Sequence, residues 1–339
     1  MLSSQRKLKV LFVHSAMATF VRNDLKLLQK HFNVRSLDVT LFLVPHRSKD
    51  WLAYLRLLKD VLWADVVYAW WANLNAVFIV LFCRFLRKKS IVVVGGHEVA
   101  YVPEIGYGTL LTAIGRIEVK SVLRHSSKIL AVSKSSRKEI LRFAKPKALK
   151  VVYNGIDVEK FKPSGVKENL VITVGGITHA TIKKKRFDVF VEASKYLTTG
   201  QSVFIGKFLD DSIRQLESKA SSNVKFTGYI PEETLLQYYQ KAKVYCQLST
   251  QESFGVALAE AMACGCVPVV TRKYSLPEVV GDTGFYVPYN DPEATAEAIE
   301  KALRSDKGVK TRERVQKYFS SKAREKNLVR EILDLIEQK

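Results

Sequence analysis

Short, mostly apolar runs alternate with helical stretches along most of this chain, and that alternation constrains its fold more than any other feature. Lys9–His14, Val66–Ala69, Ile91–Val94, Ile129–Val132 and Val151–Tyr153 form one series. Leu170–Val174, Ser202–Ile205, Val224–Phe226, Val244–Leu248 and Val267–Val270 form a second. A strand that is apolar at consecutive rather than alternate positions is buried on both faces, which is the signature of a parallel sheet covered by helices. The break at Pro163-Ser164-Gly165, within Asp157–Val166, separates the series. The chain of 339 residues thus reads as α/β, with two doubly wound, Rossmann-like domains facing each other across a cleft. Ligands of such sheets bind beyond the carboxyl ends of the strands.

The one rival element is Val66–Cys83, 18 residues without a formal charge, which reaches the lower limit for a membrane span. Asn73 and Asn75 interrupt it, so the reading preferred is a strand at 66–69, a helix over 73–86 and the next strand at 91–94. No secretory signal is evident at the amino end, because His14 and Arg22-Asn23-Asp24 break the apolar run. Four cysteines exclude a disulfide scaffold and suit a reducing compartment.

Charge narrows the partners. The net charge is +21, and it is lopsided: residues 1–160 hold 27 Lys and Arg against 11 Asp and Glu. An acidic partner is expected on the first half: a nucleic acid, an anionic membrane or a phosphorylated substrate. No helix-turn-helix, RNP motif or aromatic-basic interleaving supports nucleic acid. Cys264 and Cys266 lack the further ligands of a metal site, and neither a P-loop nor a nucleophile elbow occurs.

The segment carrying chemistry is Ser249-Thr-Gln-Glu252-Ser-Phe-Gly255-Val-Ala-Leu-Ala-Glu260-Ala-Met-Ala-Cys-Gly265. A buried strand ends in a polar loop, and a helix starts near Gly255. The free N–H groups of its first turn favour an anion such as a phosphate. Glu260 stands among apolar residues with no cation at helical spacing. Either it occupies a narrow solvent-facing stripe, or its two acceptor oxygens take a partner from elsewhere, for which the hydroxyls of a ribose would serve.

These residues resemble a known family. Glu252 and Glu260, with seven residues between them, match the E-x7-E motif of the retaining GT-B glycosyltransferases of the GT4 type. Val152-Tyr-Asn154-Gly155-Ile-Asp157, with Phe161 and Pro163, resembles that family's domain junction. Leu276-Pro-Glu-Val-Val-Gly and Gly228-Tyr229-Ile230 resemble further motifs in the right order. The resemblance implies a GT-B fold, with residues 1–157 as an acceptor-binding domain onto which a C-terminal helix, 320–339, packs back. Residues 158–319 would bind the sugar nucleotide. It implies that Glu260 holds the ribose and that Glu252 bonds hydroxyls of the donor sugar. Ser253, Phe254, Gly255 and Val256 would approach the sugar and diphosphate, Tyr229 and Ile230 would border the base, and Lys185 would bind the diphosphate.

The sequence departs from the family in two places. After Gly175-Gly176 comes a loop, 177–184, and the usual arginine is missing; Lys183, Lys184 or Arg186 would substitute. The first strand is followed by Ser15-Ala16-Met17-Ala18, without the family's glycines. His97, after Gly95-Gly96, either orients the donor sugar or acceptor or is a structural histidine.

The resulting expectation is a retaining, metal-independent hexosyltransferase without cofactor, using a nucleotide-diphosphate sugar and a hydroxyl acceptor. A sugar-nucleotide epimerase of the same fold and a basic nucleic-acid-binding protein are the alternatives. Arg116, Lys120, Arg124 and Lys128 recur every four residues and are expected to form one helical basic stripe that docks on an anionic membrane. The acceptor is then a lipid-linked or membrane-borne glycan, and the protein is cytoplasmic, peripheral on the inner face of the cell membrane.

Overall fold

A computed structural model describes residues 7–40 and 50–337. The chain divides into two compact units, residues 1–155 with 322–339, and residues 156–321.

The first unit is built on a six-stranded parallel sheet in the order β2-β1-β3-β4-β5-β6. Its strands are β1 (Lys9–His14), β2 (Asn33–Asp38), β3 (Val66–Trp70), β4 (Lys89–Val94), β5 (Lys128–Ala131) and β6 (Leu149–Val151). Between them run α1 (Thr19–His31), α2 (Asp50–Trp63), α3 (Leu74–Phe85), α4 (Ala113–His125) and α5 (Lys134–Phe143). The central strands are buried almost end to end, which is why they read as unbroken apolar runs. The stretch that rivalled a membrane span is β3, a turn and α3. Asn73 caps the helix by accepting the Ala76 N–H. Among the described residues no helix is long and apolar enough to cross a membrane.

The second unit has a parallel sheet in the order β12-β11-β10-β7-β8-β9. The strands are β7 (Glu168–Val174), β8 (Gln201–Ile205), β9 (Val224–Phe226), β10 (Ala242–Gln247), β11 (Val267–Thr271) and β12 (Phe285–Val287). Its helices are α6 (His179–Lys185), α7 (Phe187–Ala193), α8 (Ile213–Glu217), α9 (Glu232–Lys241), α10 (Val256–Ala263), α11 (Leu276–Val280), α12 (Pro292–Arg304) and α13 (Gly308–Tyr318). Phe187, Phe190, Phe204, Val244 and Ile299 are among the residues of its apolar core.

Two expectations need correction. The segment 177–184 is not a loop: most of it is α6, started by a reciprocal capping pair of Thr178 and Thr181. After it, Arg186 takes a left-handed conformation, φ 53°, that breaks α6 from α7. Lys128 is not on the basic helix, which ends at His125; it is the first residue of β5, buried in the first unit.

The last helix, α14 (Ser321–Glu337), packs on the first unit through buried polar bonds. Arg324 forms a two-pronged ion pair with Asp24 of α1, Nη2 to Oδ2 at 2.7 Å, and donates to the carbonyls of Val152 and Tyr153. Tyr68 and Trp70 donate to the same Asp24 at 2.7 and 2.9 Å, so the buried carboxylate is fully satisfied. Lys128 Nζ lies 2.9 Å from Glu331, and both side chains are buried.

Candidate active site

In the second sheet β7 and β10 are neighbours from which the chain winds outward in opposite directions. Such a switch point opens a crevice beyond the carboxyl ends of the strands. Two connections meet there, α6 after β7 and the loop after β10. They are stapled together, because Thr250 donates both its N–H (2.8 Å) and its hydroxyl (2.9 Å) to the Lys184 carbonyl.

Glu252 is held in place in this crevice. Gln247 Nε2, at the end of β10, donates to its Oε2 at 2.6 Å, and Lys185 Nζ lies 3.8 Å from the same oxygen. The Ser275 hydroxyl fixes its backbone carbonyl at 2.8 Å. Gly255, at φ 92°, turns the chain into α10 in a conformation that a side chain would strain. The first turn of α10 has no acidic residue and no side-chain cap. Its N–H groups are therefore of the kind that receive an anion. Beside it, burial lowers the Lys184 pKa to about 8, against the opposing pull of Glu252. A bound anion would raise it again.

Glu260 lies on α10 and is half-buried, not on an exposed stripe. Burial pushes its carboxyl up to about 8, and the neighbouring charge of Glu232 adds to this. Its hydrogen-bond partner among the described residues is the Tyr239 hydroxyl, at a long 3.4 Å. A carboxyl group so weakly bonded keeps acceptor capacity for further donors.

The remaining expected donor residues fall into three kinds. Gly176 ends the β7 loop and accepts from the Thr181 hydroxyl at 2.7 Å. Tyr229 is exposed and Ile230 half-buried, on a loop tied to β8 by the Gly206 N–H to the Gly228 carbonyl at 3.1 Å. Ser253 and Val256 are half-buried beside Glu252, whereas the Phe254 side chain is core and packs edge-on against Phe319 at 5.4 Å. Only the backbone of Phe254 is available to a ligand. Arg186 is committed elsewhere: it pairs with Asp188 at 2.8 Å and bonds Tyr289 and Asn290, bracing the loop after β12. Lys184 and Lys185 are left as the cations nearest Glu252.

In the first unit, His97 is exposed, 3.1 Å from the Thr109 hydroxyl and edge-on to Tyr107. Its neighbour Glu98 is buried and accepts the N–H groups of Ala72, Gly95 and Gly96, so it shapes the loop on which His97 stands. Arg116, Lys120 and Arg124 are exposed on α4.

Several residues of both units escape a reading of the sequence. Gln247 and Tyr239 orient the two glutamates, and the Gln247 Oε1 is buried without a partner. At the first sheet's own switch point, between β1 and β3, Trp71 takes φ 77°. Its ring occupies the space that a Gly95 side chain would need, and its indole N–H is buried and unpartnered. Strain at a strand's carboxyl end is the kind that persists at ligand sites. The tandem Trp70-Trp71 is the only signal of it in the sequence. His179, Asp210 and Asp211 bring three ligand-type atoms together, all on exposed residues. Asp210 is held to about 2 chiefly by the Ser212 hydroxyl.

Residues 157–322 match the family model of glycosyl transferases group 1, and residues 10–160 that of glycosyltransferase family 4. An O-antigen chain mannosyltransferase B of Escherichia coli is 36% identical over 99 residues, which cover 29% of this chain and 26% of that protein. A phosphatidylinositol N-acetylglucosaminyltransferase component of Arabidopsis thaliana is 25% identical over 248 residues, 64% of this chain and 56% of that one. The chain thus spans about a quarter and just over half of these two relatives. For the N-acetyl-α-D-glucosaminyl L-malate synthase of Bacillus anthracis the identity is 26%, over 76% of this chain and 71% of that protein. Among solved structures, Anabaena HepE in complex with UDP and glucose superposes with a TM-score of 0.76 at 17% identity, covering 96% of this chain and all of that one. Sucrose-phosphate synthase from Thermosynechococcus elongatus gives 0.77 at 17%, covering 98% of this chain and all of that one. These structural likenesses show the fold, and the two family models together span nearly the whole chain. The chain belongs to the glycosyl transferases group 1 family, GT-B glycosyltransferases of the GT4 type.

Proposed function

We propose that this protein is a retaining glycosyltransferase that moves a hexose from a nucleotide-diphosphate sugar to a hydroxyl acceptor without a metal ion. The observation that carries the reading is the crevice between β7 and β10. There Glu252 is braced by Gln247 and Lys185, the N-terminus of α10 is uncapped, and Glu260 stands under-satisfied further along α10. Each feature suits one part of the donor. Glu260 takes the two ribose hydroxyls, the first turn of α10 with Lys184 and Lys185 takes the diphosphate, and Glu252 takes hydroxyls of the sugar.

In this reaction the bond between the anomeric carbon and the diphosphate oxygen breaks, and the acceptor oxygen bonds that carbon on the same face. The acceptor's proton passes to the departing phosphate oxygen. Cations and aligned N–H groups stabilise the charge that develops there, which is electrostatic catalysis by preorganised groups. Glu252 positions the sugar and need not form a bond to it. His97 is assigned to orienting donor or acceptor. The acceptor is proposed to be a lipid-linked or membrane-borne glycan, met at the inner face of the cell membrane. The basic excess of the first half supports this, as does an Arabidopsis relative named for phosphatidylinositol.

A thermal-shift panel of UDP, GDP and ADP sugars tests the donor assignment. A ligand at 100 times its Kd stabilises the fold by about 2.7 kcal/mol. One base should stand out, and an unchanged melting temperature with all three would contradict the reading.

A further inference from the structure

Helix α3 turns an apolar stripe to solvent. Leu74, Phe78, Leu81 and Phe85 follow at steps of four, three and four residues, so they share one side of the helix, and all four are exposed. Phe85 is 83% exposed. The opposite side, Ala76, Ile79, Val80 and Cys83, already fills the core of the first unit. A helix needs only one apolar face to be held on a sheet, and a second one left in water marks a surface that something covers. The neighbouring helix α4 extends the patch with Ile114 and Ile117, 70% and 71% exposed.

The charges on these two helices are almost all of one sign. Arg84 and Arg87 stand at the end of α3, and Arg116, Lys120 and Arg124 are exposed along α4. No carboxylate occurs in α3, and α4 has only Glu118, whose pKa burial raises. An apolar patch among cations complements an anionic bilayer, whose phosphates meet the cations while its acyl boundary meets the apolar side chains. With 12 residues α3 is too short to span. It would lie in the plane of the interface.

We propose that the α3–α4 face of the first unit is an insertion surface for an anionic membrane, with Phe85, Leu81 and Ile117 entering the acyl boundary and Arg84, Arg116 and Lys120 at the lipid phosphates. The contact is then apolar as well as electrostatic, and Lys128 has no part in it. The inference deepens the membrane-borne acceptor reading and rests on it.

Flotation with phosphatidylcholine vesicles, with and without phosphatidylglycerol, tests it in the full chain. The wild-type chain should float with the anionic vesicles and weakly or not at all with neutral ones. High salt should weaken the binding without abolishing it. The double variant L81S/F85S should lose about ten-fold or more in affinity, and R116E/K120E should lose binding to anionic vesicles. The exposed positions leave the fold intact, which the melting temperature and its shift with nucleotide sugar would verify in the same samples. Absence of flotation, or an L81S/F85S variant that binds like the wild type, would overturn the proposal. So would a dimer in light scattering that L81S/F85S dissociates, because the face would then be a contact between copies. A chain that floats but binds no nucleotide sugar would contradict the donor assignment and leave this surface standing.

Discussion

Glu252 and Glu260 sit on the same segment but in different chemistry. Glu252 has firm partners, Gln247 at 2.6 Å and Lys185 at 3.8 Å, whereas Glu260 has only a long bond from Tyr239 among the described residues. Glu260→Ala should therefore weaken nucleotide affinity by about ten- to a hundred-fold, the cost of lost hydrogen bonds to a charged acceptor. Glu252→Ala should leave nucleotide affinity nearly unchanged and lower kcat, because its proposed contact is with the part of the donor that reacts. Calorimetry with the free nucleotide and steady-state kinetics separate the two. Equal loss of affinity in both variants would contradict the assignment.

The raised pKa of Glu260, about 8, gives a second residue-scale prediction. If ribose hydroxyls donate to the ionised carboxylate as proposed, nucleotide binding lowers this pKa and releases a proton below pH 8. Affinity should rise from about pH 6.5 to 9, and Glu260→Gln should flatten that rise. The same sign holds for the unliganded fold: a carboxyl raised above its unfolded value costs stability as pH climbs from about 4.5 to 8, so the substitution should raise the melting temperature above pH 8. A titration that is flat in the wild-type protein would dispose of both expectations. The two glutamates are legible in the sequence because a charge among apolar residues at fixed spacing is a local signal. Gln247, Tyr239 and Trp71 are not: Gln247 reaches Glu252 back across the loop after β10, Tyr239 reaches Glu260 from another helix, and Trp71 takes a strained backbone that composition does not encode.

At the scale of elements, most of the strands that the sequence makes plain are central ones buried on both faces, such as β1, β3 and β4. β2 escapes it: Asn33–Asp38 has one buried residue, as an edge strand without a second neighbour does. α6 reads as a loop because its run of lysines lacks an apolar period, although Thr178 and Thr181 cap it as a helix start should be capped. The basic stripe overextends to Lys128 because a spacing of four continues in sequence past the end of a helix at His125. α14 offers the test here. Removing one partner of a buried ion pair strands the other, so Arg324→Ala should cost about 3–5 kcal/mol. Asp24→Asn should cost less, because Tyr68 and Trp70 can still donate to the amide oxygen. Urea unfolding measures both, and hydrogen exchange should show α14 opening first in the arginine variant. A loss below about 1 kcal/mol for Arg324→Ala would mean that the helix is held by its apolar face alone.

At the scale of the molecule, the charge is partitioned as the proposed chemistry requires. The first half carries the basic excess with the exposed α3–α4 face, and the second carries the crevice assigned to the donor. In the proposed mechanism lysines and a helix N-terminus meet the diphosphate. Transfer should therefore persist in EDTA, and activity abolished by chelation and restored by Mg²⁺ or Mn²⁺ would contradict the proposed mechanism. The most direct measurement of the central claim is proton NMR of the product formed from a nucleotide sugar in the presence of EDTA. The account predicts release of the nucleoside diphosphate and a new glycosidic linkage whose anomeric configuration is that of the donor. An inverted linkage, or no release of nucleotide from any sugar nucleotide, would contradict it.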